Sequence, residues 1–241
     1  MLVAAAVCPH PPLLIPEIAA GAAAETETMR RACLAAVGRL YDASPEQLVV
    51  VGNGPIPGAA HPSATGSLAG YGVPLLVGLG AGDTNTAPTG NGAATLPLSV
   101  TVGVWLLRQA GYAGQVQARV VTDRATSEEC GAMGARIAAF PARTALLVMG
   151  DGSARRDERS PGYLDPRGVG FDEAVAAALA EADTEALAKL DPGLATEVWA
   201  AGRAPWQVLA GAAEGARWDA ELLYRGAPYG VGYFVASWTP A

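Results

Sequence analysis

Apolar residues in this 241-residue chain fall into two patterns, short unbroken runs and longer stretches in which they recur every three or four positions. Leu2 to Val7, Leu48 to Val51, Val73 to Leu79, Gln115 to Thr122 and Thr144 to Met149 are runs of the kind that fill a strand buried on both faces. Between them, Glu25 to Tyr41 places Met29, Cys33, Val37 and Leu40 at helical spacing. Leu96 to Ala110 predicts an apolar helix stopped by Gly111, and Ser127 to Phe140 a helix opened by Thr126 or Ser127 with Glu128 and Glu129 behind it. Phe171 to Leu190 continues as an alanine-rich helix, and Leu194 to Ala213 as another with a break near Gly202 and Pro205. Trp218 to Tyr224 and Tyr229 to Trp238 flank a turn at Arg225 to Pro228, which predicts a closing hairpin; Gly230 and Gly232 mark close backbone approach. Ile56 to Ser67 and Asp157 to Gly170 carry too much Gly, Pro and polar residue for regular structure, and neither marks a domain boundary. Strands alternating with helices predict an α/β fold: a single-domain three-layer α/β/α sandwich over residues 1–241, with a mostly parallel or mixed central sheet and a C-terminal hairpin.

Composition narrows the function classes. Hydrophobic residues make up 51% of the chain, enough for a sizeable core, and the net charge is -7 with arginines scattered rather than clustered. Nucleic acid is therefore excluded as the expected partner, because backbone binding needs gathered cations. Cys8, Cys33 and Cys130 are odd in number and form no CxxC pair, which fits free thiols in a reducing compartment. No stretch reaches the ~18 apolar residues of a membrane helix, and Met1 to Ala6 is too short for a signal-peptide core. The expectation is a soluble cytoplasmic protein with no membrane partner.

Candidate chemistry begins at His10, one of two histidines, which Pro9, Pro11 and Pro12 hold in a stiff extended segment at the end of the first strand. Open α/β sheets bind ligands at that edge. Cys8, two residues earlier, shares a strand face with it, and Glu17 follows closely. The glycine-rich stretch Gly80 to Gly92, with Asp83, lacks a helix starting inside its glycine pattern and so is a loop near a site rather than a dinucleotide cradle. Asp151, in Gly150-Asp151-Gly152-Ser153, stands at another strand end, where a turn or cap role competes with a catalytic one. Ser153 lacks the Gly-x-Ser-x-Gly elbow of a serine hydrolase.

Taken together, the His10-Pro11-Pro12-Leu13-Leu14 opening with Pro16-Glu17, the Gly150-Asp151-Gly152-Ser153 turn, the Phe171-Asp172-Glu173 helix start and the Pro228-Tyr229-Gly230-Val231-Gly232-Tyr233-Phe234 run resemble the catalytic B subunits of class III extradiol ring-cleavage dioxygenases and the related Memo-like proteins. The resemblance covers nearly the whole chain and rests on motif order. It implies one divalent metal held by two histidines and a carboxylate, Fe(II) by likeness with Mn or Zn open, and a further histidine as acid/base toward a small aromatic, catechol-type ligand. It also implies assembly as a homodimer or with a small partner subunit. On this likeness His10 takes the place of the first metal ligand, His61 is a conditional second, and Glu17, Asp151, Ser153 and Asp83 are substitute groups. The acid/base position holds Ala154, and the third-ligand stretch holds Ala201 and Ala204.

Two functions follow. One is a metal-dependent relative with an altered ligand set, which requires the His10 and His61 rings to converge within ~5 Å of each other around one ion. The other is a non-catalytic binding or scaffold protein that kept the fold and a remnant pocket. Whether the chain is an enzyme is open at this stage.

Overall fold

A computed structural model describes residues 1–81 and 95–241. The chain begins with β1 (Leu2–Cys8), whose seven residues are all buried, and the Pro9–Pro12 segment ends it as proline must. A short α1 (Pro16–Ala19) leads to α2 (Glu27–Asp42), which buries Met29, Cys33, Ala36, Val37 and Leu40 as its spacing predicts. Next come β2 (Gln47–Asn53), the two-residue β3 (Gly58–Ala59), and β4 (Thr65–Ser67) with β5 (Leu76–Gly78). The sequence from Leu98 onward builds α3 (Leu98–Gln109), β6 (Gln117–Val121), α4 (Ser127–Ala138) and β7 (Thr144–Met149). The last third holds α5 (Arg167–Glu181), α6 (Thr184–Ala188), α7 (Pro192–Glu197), α8 (Arg203–Ala213) and the hairpin β8 (Trp218–Gly226) and β9 (Tyr233–Pro240).

Among the described residues the main sheet has seven strands in the order β3-β6-β2-β7-β1-β9-β8. β6, β2, β7 and β1 are mutually parallel, while β3 at one edge and the hairpin at the other are antiparallel. Strand alternation splits the core in two. Ala4, Ala6, Cys8, Val50, Leu147 and Met149 face α2 and α3; Ala5, Val7, Val49, Val51, Leu146 and Val148 face α4, α5 and α8. Covering both faces is why these strands are continuous apolar runs, and the architecture is the expected α/β/α sandwich. The outer strand β8 is half-buried and carries Glu221 and Arg225, paired to Arg39 at 2.6 Å and Glu173 at 3.7 Å, so charge guards the free edge.

Two local expectations are corrected. Val73 to Leu79 supplies no central strand: Leu76–Gly78 pairs with Thr65–Ser67 in a separate two-stranded sheet, which also puts regular structure inside the supposedly irregular Ile56 to Ser67. The helix expected over Phe171 to Leu190 starts earlier, at Arg167, and breaks at Ala182, which has φ of 51°; Asp183 then caps α6 through Ala186 N–H. The break expected near Gly202 and Pro205 is present, between the end of α7 at Glu197 and the start of α8 at Arg203, and Pro205 sits in the first turn of α8, where its missing N–H costs nothing. The Thr126–Glu129 capping box and the left-handed Gly111 are as the sequence predicts. The Gly80 to Gly92 stretch, Asp83 included, lies largely outside the described residues.

Candidate functional site at the edge between β1 and β7

β1 and β7 are adjacent and parallel, yet their outgoing connections lead to opposite faces, β1 to α2 and β7 to α5. Such a divergence opens a crevice at the C-terminal strand ends. The Cys8 carbonyl still accepts Gly150 N–H at 3.0 Å, so the ladder runs to the last residue of both strands before they part. His10 and Asp151 emerge there together.

The Asp151 carboxylate accepts His10 backbone N–H at 2.8 Å and stands 3.5 Å from His10 Nδ1. His10 is 8% exposed, and its Nδ1 is buried without a hydrogen-bond partner. Asp151 thus ties two chain segments 141 residues apart and also faces an imidazole, rather than bonding the backbone of its own turn. Burial pushes its carboxyl above the usual range, more than His10 pulls it down. The neighbours follow the same trend. Cys33 on α2 is driven well up by burial, then by its contact with Cys8 and by Asp151; Tyr233 on β9 is raised by burial and by Asp151. In Asp151, Cys33 and Tyr233 alike, burial favours the neutral form.

The backbone that presents Asp151 is locked from the other side. Gly202 N–H donates to Asp151 O at 2.8 Å, and Gly152 N–H to Gly232 O at 2.7 Å. Gly232 N–H returns to Ser153 O at 2.9 Å. Beneath this turn Asp172, fully buried, accepts Ser153 N–H at 2.8 Å and pairs with Arg156 at 2.5 Å. A Cβ on Gly232 would fall 2.0 Å from Asp172 Oδ2, and one on Gly152 2.5 Å from Oδ1. The close approach expected of Gly232 is thus to a buried carboxylate, whose own charge burial resists despite Arg156.

The remaining sequence candidates lie apart from this pair. His61 follows β3, and three strands separate β3 from β1, a lateral distance of roughly 19 Å at the usual strand spacing. Because β3 runs antiparallel to β6, it carries His61 back toward the opposite end of the sheet from His10. There the ring is exposed and its Nδ1 is 2.7 Å from Ser63 Oγ and accepts Ser63 N–H at 3.2 Å. His61 as a ligand beside His10 is therefore corrected: the chain direction in β3 separates them. Glu17 is exposed on α1 and makes no hydrogen bond or ion pair with His10. Ser153 is wholly buried, its hydroxyl donating to Val198 O at 3.0 Å and accepting Arg155 N–H at 3.1 Å, so it is a structural tie rather than a nucleophile. Among the described residues no group of three or more His, Cys, Asp or Glu is placed to hold a metal ion. The donors present, one imidazole and one carboxylate, do not complete the 2-His-1-carboxylate set that the resemblance implies.

The sequence places Cys33 on a helix stripe and Asp172 and Tyr233 within the motifs above, without assigning any of them to the site. The parity of β1 points to Cys33, since Cys8 faces the helix whose apolar stripe contains it. For Asp172 the signal was an acidic residue between two inward-facing helical positions, Phe171 and Val175.

No helix among the described residues is long and apolar enough to cross a membrane. No protein-family profile matches the chain, and no curated protein matches it. Among solved structures, the fold is similar to the crystal structure of uncharacterized protein JW3007 from Escherichia coli K12, with a TM-score of 0.53 and 15% sequence identity over 98% of this chain and 99% of that one. That likeness speaks to the fold alone.

Proposed function

We propose that this chain is a non-catalytic binding protein that keeps a dioxygenase-like α/β fold, with His10 and Asp151 as the surviving part of a ring-cleavage site. The observation that carries the reading is the separation of the two histidines: His10 leaves the C-terminal end of β1, while β3 delivers His61 to the far edge and the other end of the sheet. Ala154 and Ala204 occupy positions where the resemblance calls for an acid/base and a carboxylate, and an alanine supplies neither. Absence of a general acid/base alone costs about 10²–10⁴ in rate. Asp151 instead ties the first strand's exit to the seventh's by accepting His10 N–H, a role that needs no metal.

Oxygen uptake by the full chain supplied with Fe(II) and catechol tests this. The expected result is a rate no higher than that of Fe(II) and catechol without protein. Protein-dependent uptake that is lost in His10→Ala contradicts the proposal and restores the metal-dependent reading, with Asp151 as the carboxylate.

A further inference from the structure

On the α8 side of the sheet, a cavity of about 350 Å³ opens between the end of β6 and the α7–α8 connection. Its wall is apolar at Ala195, Ala200 and Ala204, and Trp199 stands over it 55% exposed. At its base lies Arg203, only 2% exposed. Burying a guanidinium is costly unless an anion faces it, yet none of the ion pairs among the described residues includes Arg203. Its partners are neutral. Nη1 donates to Ala125 O at 2.6 Å and Gln207 Oε1 at 3.1 Å and lies 4.0 Å from the Cys130 Sγ, and Nη2 donates to Asp123 O. Three of the five guanidinium donors are thereby used, and two remain.

We propose that this cavity binds a small aryl carboxylate, with Arg203 receiving the carboxylate and Trp199 stacking on the ring. The carbonyl contacts fix the guanidinium, so the anion meets a preset fork rather than a mobile chain. Trp199 is held as well: Arg155 Cζ lies 6.0 Å from its ring centroid, and a Cβ on Gly162 would come within 3.0 Å of its Cε3. Trp199 also has φ of 57°, a left-handed conformation unfavourable for a bulky residue, which the fold maintains while leaving the ring 55% exposed. The volume is near the lower end of ligand pockets, which suits a single ring. The exposed Asp123 carboxylate, held by Asn53 Nδ2 at 3.2 Å, lines the same cavity; it opposes a second anionic group and accepts from a ring hydroxyl. Ala195, Ala200 and Ala204 belong to the core on the α8 side of the sheet, whereas Cys33 and Tyr233, which feel the Asp151 charge, belong to the core on the α2 side, so the cavity is tested apart from the His10–Asp151 pair.

Calorimetric titration of the full chain with benzoate and with benzamide, its neutral counterpart, tests the assignment. Benzoate is expected to bind about tenfold or more tightly than benzamide, as a charge-assisted fork requires. Trp199→Gly, which relieves the left-handed backbone and so keeps the fold, is expected to weaken benzoate about two- to tenfold. Arg203→Lys keeps the charge but not the fork and is expected to weaken it at least as much. Equal binding of benzoate and benzamide, no saturable binding of benzoate, or benzoate affinity untouched by Trp199→Gly overturns the proposal. So does inorganic phosphate binding as tightly as benzoate, since that removes the ring from recognition.

Discussion

At the residue scale the C-terminal edge is organised by aspartates, each in a different role. Asp151 joins two strand ends, Asp172 braces two glycines from below, and Asp165 fixes the connection between β7 and α5. Asp165 accepts Arg167 N–H and Nε–H at 3.0 Å and Nη2 at 2.7 Å, while its own N–H donates to Arg155 O at 2.9 Å. The Arg167 fork holds its carboxyl down to about 2 from a usual value of 3.8. A carboxylate lowered in the folded state stabilises it above the unfolded value, and that contribution is lost as pH falls through the folded one. Asp165→Asn is therefore expected to be less stable than the parent at pH 7, with the gap closing between about pH 4 and pH 2. Urea denaturation at a series of pH values measures this, and a gap constant down to pH 2 contradicts the assigned role.

At the element scale the α4–α8 pair shows how glycine sets geometry near the edge. A Cβ on Gly134 would lie 2.1 Å from Val208 O, and one on Gly211 2.2 Å from Gly131 O, so the two helix backbones touch. Alanine ordinarily gains about 0.5–1 kcal/mol over glycine in a helix. At Gly134 the overlap outweighs that gain, and Gly134→Ala is expected to destabilise by about 1–3 kcal/mol. Gly38 on α2 has nothing within 4 Å of its Cβ position, so Gly38→Ala is expected to stabilise by about 0.5–1 kcal/mol. Thermal unfolding of both variants checks the contrast, which disappears if helix propensity alone governs.

These elements also show what was legible in the chain. The strands β1, β2, β6 and β7 and the helices α2, α3 and α4 announce themselves because two-face burial and 3.6-residue spacing are written in composition. Leu76–Gly78 does not, because a short apolar run looks alike in a central strand and in a two-stranded flap. The break at Ala182 was marked by Asp183 followed by Thr184, a cap signal hidden inside an alanine-rich stretch. Of the site, His10 and Asp151 were legible as strand ends, but their meeting depends on β7 inserting between β2 and β1, a matter of strand order. His61 misled for the converse reason. Its position depends on a two-residue strand that reverses the chain, and no pattern in Ile56 to Ser67 reveals that reversal.

At the scale of the whole molecule, the sheet offers ligands one end and two faces. The α2 side of that end holds buried Cys33 and Tyr233 close to the His10–Asp151 pair, in which His10 is buried and Asp151 partly so, with the acid groups of Asp151, Cys33 and Tyr233 pushed toward their neutral forms. The α8 face holds a cavity with an arginine lacking a carboxylate partner and an exposed tryptophan. On the proposed reading the chain keeps a ligand-binding edge without a three-ligand metal centre, and among the described residues no such ligand group is placed. An anaerobic Fe(II) titration of the full chain beside His10→Ala tests this most directly. The account predicts no one-to-one Fe(II) uptake that distinguishes the two proteins; one-to-one uptake by the parent chain that His10→Ala abolishes would contradict it.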